Sequence, residues 1–216
     1  MRYLFIYLLS MLCIAPVLAQ QTVKDSSQLS SDSIAPSWSF GAEALYYILP
    51  DENNTTTFIG YADYKALHLE ARYNYEDTKT GAVFGGYRFD GGRKIQWGLT
   101  PIVGLVFGNT DGIAPGLETD FSWKKIDFYS ETEYVIDFSG EENNFLYTWL
   151  ELAVTPFNNF RTGISANRTK LYQTSRDIQR AFFIQYSFWK LTAGLHYFNP
   201  FTTNEGFGIA TLAIEF

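Results

Sequence analysis

The sequence has only one cysteine, Cys13, and it lies in an apolar N-terminal stretch. Beyond that stretch the chain has no thiol for a disulfide or for nucleophilic chemistry. Positive charge is also scarce: Lys and Arg total 16 against 23 Asp and Glu, for a formal net charge of −7. An acidic chain lacks the basic surface that nucleic acid attracts, so we expect no nucleic-acid partner.

Long apolar runs are absent after the N-terminal stretch, and no apolar stripe recurs at the 3.6-residue period of a helix. A membrane-spanning helix needs about 20 predominantly apolar residues, so none is expected there. Clusters of Gly, Asn and Asp instead recur at nearly regular intervals. This spacing is typical of short strands joined by turns, and it predicts an all-β chain.

Residues 1–19 are predicted to be a secretory signal peptide. Arg2 supplies the positive end, Tyr3–Leu12 the apolar core, and residues 17–19 (Val-Leu-Ala) the small-residue cleavage site. A transmembrane anchor fits less well, because the apolar run is too short. A lipoprotein signal is the other alternative, but Cys13 follows a leucine rather than a small residue.

The remainder divides into a polar lead-in and one domain. Residues 20–36 are rich in Ser, Gln and Asp and are predicted to be a flexible periplasmic segment. Residues 37–216 are predicted to form a single β domain of twelve strands. The predicted strands are Trp38–Leu49, Thr56–Ala62, Ala66–Glu76, Gly81–Phe89, Lys94–Phe107, Gly116–Trp123, Ile126–Phe138, Asn144–Thr155, Phe160–Asn167, Asp177–Phe188, Leu191–Phe198 and Phe207–Phe216.

The stretch ALHLEARYNYE, residues 66–76, alternates at every step between apolar or aromatic and polar side chains. Successive side chains of a strand point to opposite faces, so Leu69 and Tyr75 are predicted on one face and Arg72 on the other. Several predicted strands reach about ten residues, and a tilted strand needs about 9–11 to cross a bilayer. The alternation alone fits a membrane barrel or, inside out, a soluble lipocalin-like barrel.

The predicted connections alternate between short and long along the chain. Short turns such as Lys124-Lys125 and Trp189-Lys190 are separated by longer segments such as GNTDGIAP and NRTKLYQTSR. Outer-membrane barrels have short periplasmic turns, longer external loops and an even number of strands. The turn at residues 63–65 is weakly marked; without it, an unbroken strand would leave eleven strands.

Aromatic side chains near strand ends favour the membrane alternative, because such barrels carry aromatic girdles at both interfaces. The predicted girdle residues are Trp38, Tyr73, Tyr75, Phe89, Trp97, Phe107, Trp123 and Phe138. We therefore predict an all-β fold: a transmembrane antiparallel up-and-down β-barrel of about 12 strands.

The final strand, FGIATLAIEF, places Leu212, Ile214 and Phe216 on one face and ends on an aromatic residue. With the signal peptide, this ending resembles that of bacterial outer-membrane β-barrel proteins. The abundance of aromatic residues, Tyr and Asn resembles poorly characterised barrels of Bacteroidetes-type bacteria. The resemblance implies that Leu212, Ile214 and Phe216 form the signal read by the barrel-assembly machinery. It also implies a location in the outer membrane of a Gram-negative bacterium, in contact with its lipid, and we expect a monomer.

The predicted inward face carries many acids and few cations. Glu118 is predicted opposite Glu131, and like charges across a ladder repel, so cations are needed nearby. The predicted lumen or constriction residues are Arg72, Arg88, Arg161, Glu118, Asp120, Glu131, Glu133 and Glu151. These residues suit either a salt-bridged structural lumen or a narrow, cation-preferring passive pore for small solutes or ions. Bulky inward groups (Tyr47, Phe84, Tyr129, Tyr147, Trp149 and Phe183) favour a narrow or blocked lumen.

Catalysis is the alternative function, as in outer-membrane lipid-modifying hydrolases. The chain has only two histidines, His68 and His196, and no serine lies in a recognisable nucleophile motif. Oxygen ligands from Glu118, Glu131 and Glu133 would suit Ca²⁺ or Mg²⁺, but no ligand-loop spacing supports such a site. We therefore predict no enzyme activity, no cofactor and no metal.

Overall fold

The computed structural model describes residues 37–50, 53–169, 178–202 and 206–216. The predicted signal peptide (1–19) and lead-in (20–36) lie outside the described residues, as does most of the predicted loop NRTKLYQTSR. The strands are β1 Ser39–Ile48, β2 Thr55–Tyr64, β3 Leu67–Tyr73, β4 Thr80–Tyr87, β5 Phe89–Gly91, β6 Gln96–Gly108, β7 Gly112–Trp123, β8 Ile126–Asp137, β9 Phe145–Phe157, β10 Phe160–Arg168, β11 Gln179–Phe188, β12 Leu191–Phe198 and β13 Phe207–Glu215.

Except for β4 and β5, each strand pairs antiparallel with the next, and β1 pairs with β13, with Gly41 opposite Glu215 and Ile48 opposite Gly208. Segments β4 and β5 both pair with β6 and are the two halves of one strand interrupted at Arg88. The sheet is therefore a closed barrel of twelve strands, as predicted. Closure pairs the strands with one another around the barrel, as a structure surrounded by lipid requires.

One end of the barrel carries the tight turns. Two residues join β2 to β3, β7 to β8, β9 to β10 and β11 to β12. Four of these turn residues, Lys65, Lys124, Asn159 and Trp189, have positive φ, a conformation that lets the chain reverse within two residues. The turn at Lys65 confirms the separate second and third strands, so the eleven-strand alternative is wrong.

The opposite end carries most of the longer connections, which in outer-membrane barrels face outward. One of them was predicted wrongly: GNTDGIAP is a turn of residues 109–111, and β7 already begins at Gly112. The turn is tight because Asp111 accepts the backbone N–H of Gly108 at 3.0 Å and its own carbonyl accepts the N–H of Phe138 at 2.8 Å.

The exterior of the barrel is apolar. Leu69, Val103 and Leu212 are 38, 51 and 54% exposed, whereas Arg72, on the opposite face of β3 from Leu69, is 4% exposed. Of the predicted girdle residues, Trp38, Tyr73, Phe89, Phe107, Trp123 and Phe138 are exposed, and Trp97 is half-buried. The apolar face therefore looks outward, as in a membrane barrel, and the lipocalin-like alternative is wrong.

Tyr75 is the exception to this pattern, because it is buried inside the barrel at 5% exposure. Strand β3 ends at Tyr73, and Asn74 has φ +56°. A left-handed residue breaks the two-residue alternation, so Tyr75 and Glu76 both turn inward. The prediction that Tyr75 belongs to the aromatic girdle was wrong for this reason.

The last strand ends on the outer face. Leu212 and Phe216 are exposed, and the Phe216 N–H donates to the carbonyl of Phe40 at 2.8 Å. Recognition of Leu212, Ile214 and Phe216 by an assembly machinery stays a prediction, as does the monomeric state. Within the described ranges, no helix is both long and apolar enough to cross a membrane.

Candidate functional site

The candidate site is the charged interior, and the β7–β8 hairpin supplies its acidic side. The two-residue turn at Lys124 and Lys125 sets the register, with Glu118 opposite Glu131 and Asp120 opposite Tyr129. Both pairings are as predicted. Glu131 and Glu133 are buried at 3 and 0% exposure, so their charges need partners within the protein.

Arg72 supplies the main partner by crossing the lumen. Its Nη1 lies 2.7 Å from Glu131 Oε1 and also pairs with Glu133. In the wall, β3 and β8 are separated by β4, β6 and β7, so this contact passes through the barrel interior. Arg72 Nε donates to Glu70 Oε2 at 2.6 Å, and Glu76 Oε1 lies 3.4 Å from Nη1. We call Arg72, Glu70, Glu76, Glu131 and Glu133 the Arg72 network.

Aromatic residues hold this network in place. The Arg72 guanidinium lies 4.1 Å from the ring centre of Phe84 and 4.8 Å from that of Tyr75, within the range of cation–π contact. The Tyr75 hydroxyl donates to Glu131 Oε2 at 2.9 Å, and the Tyr129 hydroxyl donates to the same oxygen at 3.2 Å. Glu131 thus accepts hydrogen bonds from three side chains, those of Arg72, Tyr75 and Tyr129.

Arg161 forms a second cluster, with Asp127, Glu151, Gln185 and His196. Its Nη1 lies 2.6 Å from Glu151 Oε2 and 2.8 Å from Gln185 Oε1, and its Nη2 lies 2.5 Å from Asp127 Oδ1. His196 Nε2 lies 3.2 Å from Glu151 Oε1. The β9–β10 register shifts between Phe160 and Thr162, so Arg161 sits at the irregularity.

Arg88 and Asp120 form a separate pair, 2.6 Å apart, near the end of the barrel with the tight turns. Both side chains are 41% exposed, so water screens this pair. Asp127 is 31% exposed at the same end. Water therefore enters the lumen from the side where the short turns lie.

The middle and opposite end of the lumen are filled by bulky side chains, as predicted. Tyr47, Phe84, Tyr147, Trp149 and Phe183 are each at most 6% exposed, and Tyr129 packs against them partly buried. We call Tyr47, Phe84, Tyr147, Trp149 and Phe183 the aromatic layer. Tyr75 packs beside it, 4.8 Å from Tyr147 between ring centres.

The eight predicted lumen residues therefore separate into groups. Arg72, Glu131 and Glu133 meet in one network, Arg161 and Glu151 in a second, and Arg88 and Asp120 in an exposed pair. Glu118 has no arginine or lysine partner among the described residues; His68 is its nearest basic group at 3.8 Å. The arginines contact the acids directly rather than facing them across a gap.

Five members of these groups were not among the predicted lumen residues: Glu70, Glu76, Asp127, Gln185 and His196. Glu70 lies two residues before Arg72 on the same face, a signal that was present in the alternating stretch. Glu76 turns inward only because of the left-handed Asn74, and the sequence does not show this. His196 was placed on the inward face, but its bond to Glu151 depends on contacts between β9 and β12.

Glu118, Glu131 and Glu133, which were considered as oxygen ligands and not adopted, are not grouped around one ion in the described part of the chain. Glu131 and Glu133 are both bound to Arg72, whose positive charge occupies the place of an ion. His196 could serve the hydrolase alternative, but it stacks on Phe183 at 4.9 Å and is 3% exposed. The hydroxyl of Ser165 is buried and has no hydrogen-bond partner, so no serine–histidine bond is formed there.

Comparison with known proteins supports the fold. No protein-family model and no curated protein matches this chain. Among solved structures it is similar to the KdgM porin, with a TM-score of 0.54 and 11% identity over 82% of this chain and 98% of that one. A structure of "KdgM porin in complex with disordered oligogalacturonate" gives the same values. At this identity the likeness shows a porin-type barrel fold.

Proposed function

We propose that this protein is a narrow passive channel of the outer membrane whose resting lumen is closed by the Arg72 network. The observation that carries the proposal is the reach of Arg72 from β3 across the interior to Glu131 and Glu133 on β8. This closure consists of side chains held by charge. Because it consists of side chains rather than of the wall itself, a change in their rotamers would open the lumen with the strands still paired.

The charge of the lumen supports a preference for cations. The acids Glu70, Glu76, Glu131 and Glu133 surround Arg72. A further inward acid, Glu118, lies opposite Glu131. Acidic rings select cations in channels, because they replace part of the ion's hydration and exclude anions. The exposed Arg88 and Asp120 lie at the wetter end of the lumen, where a permeating ion would meet water.

The porin-type fold also supports a channel. The oligogalacturonate named for the KdgM porin is an anionic sugar polymer, and it fits poorly in a lumen with excess acid. We therefore propose small cations or small neutral solutes as the permeating species. Catalysis is not part of the proposal, because a lipid ester would have to pass through the barrel wall to reach His196 and Glu151.

Planar-bilayer conductance of the refolded protein tests the proposal. The wild type is expected to show small, infrequent, cation-selective openings, and Arg72→Gln is expected to open more often because Glu131 and Glu133 lose their tether. Arg88→Gln is the matched control, because the Arg88–Asp120 pair is exposed and does not close the lumen. It should conduct like the wild type.

A structural barrel is the second candidate, and the aromatic layer favours it. Side chains such as Tyr47, Tyr147 and Phe183 are at most 2% exposed, as in a packed core. If wild type and Arg72→Gln are both electrically silent while each shows the heat-modifiable mobility of a folded barrel, the channel proposal fails and the structural barrel replaces it.

A further inference from the structure

His68 occupies an unusual position on the inward face of β3. Its register partner on β2 is Asp63, and its Nδ1 lies 2.7 Å from Asp63 Oδ1. The carboxylate accepts a hydrogen bond from Nδ1, so Nε2 is the ring nitrogen left to release any proton and bind an ion. Nε2 is buried and has no hydrogen-bond partner. Asp63 thus holds the ring with Nε2, a nitrogen that can bind a metal ion, directed into the lumen.

Two carboxylates lie in front of this nitrogen. Glu70 Oε1 is 3.4 Å from His68 Nε2, and Glu118 Oε2 is 3.8 Å from it. The three atoms all lie within 4.8 Å of one another. Neighbouring ligand atoms around an ion with bonds of about 2.0–2.2 Å are about 2.8–3.6 Å apart in octahedral or tetrahedral geometry. Small side-chain rotations would therefore bring all three atoms onto one ion.

The oxygens of Glu70 are divided between two partners. Oε2 accepts from Arg72, whereas Oε1 faces His68. Arg72 thus leaves one Glu70 oxygen available. Its positive charge is shared with Glu131 and Glu133, so little of it remains for Glu118.

Glu118 has the strongest need for a cation. Its side chain is 12% exposed, and it lies directly opposite Glu131 on the β7–β8 ladder. In the described part of the chain its nearest basic group is His68. A buried carboxylate beside a second one is costly unless positive charge or a proton compensates it.

We propose that His68 Nε2, Glu70 and Glu118 bind a divalent metal ion of the zinc class, with Asp63 orienting the imidazole. One nitrogen and two carboxylate oxygens suit Zn²⁺ better than Ca²⁺ or Mg²⁺, which prefer oxygen alone. Metal-bound histidines commonly donate the N–H of their other ring nitrogen to a carboxylate, and His68 Nδ1 is placed to do so to Asp63. Asp63 is 37% exposed, so an ion can arrive from the barrel end with the tight turns.

Such an ion would connect β3 to β7, which are separated in the wall by β4 and β6. It would also lie next to Arg72, through the shared Glu70. Metal binding therefore strengthens the closure of the lumen on the same side as the Arg72 network. The site itself does not depend on whether the barrel conducts.

Isothermal titration of the untagged, EDTA-stripped, refolded barrel with Zn²⁺ tests the inference. One Zn²⁺ per chain is expected, and Co²⁺ substitution should give visible absorption bands of a nitrogen–oxygen site. Glu118→Gln and His68→Gln should abolish saturable binding. Asp63→Asn keeps all three ligands and should weaken it about 10–100-fold.

His196→Asn is the matched control, because His196 also faces the lumen and contacts an acid, Glu151, but lies in the Arg161 cluster. It should bind Zn²⁺ like the wild type. Each variant is first checked for folding by gel electrophoresis, in which a folded barrel migrates differently before and after heating. The inference is overturned if the folded wild type binds no Zn²⁺ saturably below about 100 μM, a Kd that the weaker biological metal sites reach. It is also overturned if Glu118→Gln binds as tightly as the wild type.

Discussion

Replacing Arg72 by Gln is the most informative single change to the lumen. The guanidinium is 1% exposed and pairs with Glu70, Glu131 and Glu133. Glutamine retains hydrogen-bonding capacity but removes the positive charge. The three carboxylates then remain buried, close together and without their common partner.

The size of the effect follows from burial. Removing one partner of a buried ion pair costs about 3–5 kcal/mol, because the other charge is left uncompensated. Loss of the stacking on Phe84 adds about 0.5–2 kcal/mol. The exposed Arg88–Asp120 pair, with both side chains 41% exposed, is worth about 0–1 kcal/mol. The expected difference between Arg72→Gln and Arg88→Gln is therefore about 2.5 kcal/mol or more, at least roughly sixtyfold in the unfolding constant.

Urea unfolding of the refolded barrels in lipid bilayers, followed by tryptophan fluorescence, measures this difference. The triple variant Arg72→Gln with Glu131→Gln and Glu133→Gln should recover part of the loss, because it removes the unpaired charges as well. If Arg72→Gln is destabilised by no more than Arg88→Gln, Arg72 does not hold the acidic wall and the interpretation of the lumen is wrong.

Three further variants test the packing and the membrane-facing surface. Gly104→Ala should cost about 1–3 kcal/mol, since its Cβ would lie 2.5 Å from the Phe84 ring; an unchanged urea midpoint would show that the ring is not confined. Val103→Arg, near the middle of β6 on the lipid face, should cost about 2–4 kcal/mol, whereas Ile95→Arg at the barrel end should cost about 0–1 kcal/mol. Equal costs for these two similarly exposed positions, measured by the same unfolding assay, would contradict the placement of the bilayer.

The strand faces were predictable because they depend on a local rule. From Leu67 to Tyr73 the two-residue alternation assigns every side chain to the correct face. The rule fails at Asn74, where one left-handed residue sends Tyr75 and Glu76 inward together. The sequence marks this position only weakly: Asn is uncommon in strands and tolerates the left-handed conformation, but the apolar–polar alternation continues through it to Glu76.

Pairings across short turns were also predictable, whereas contacts across the lumen were not. The two-residue turn after Trp123 determines that Glu118 faces Glu131. The contact of Arg72 with Glu131 joins residues 59 positions apart. It depends on the tilt and stagger of all the strands between them, and periodicity within one strand carries no information on this.

The most direct test of the closed lumen is the access of water-soluble thiol reagents to single cysteines in a Cys13→Ser background. Ser122→Cys lies inside the barrel near the tight turns and should react quickly from that side. Ser165→Cys lies deeper, where Ser165 is 5% exposed, and should stay unreactive from either side of the membrane. Equally fast reaction at both positions would show a water-filled passage through the middle of the barrel, and would contradict the account.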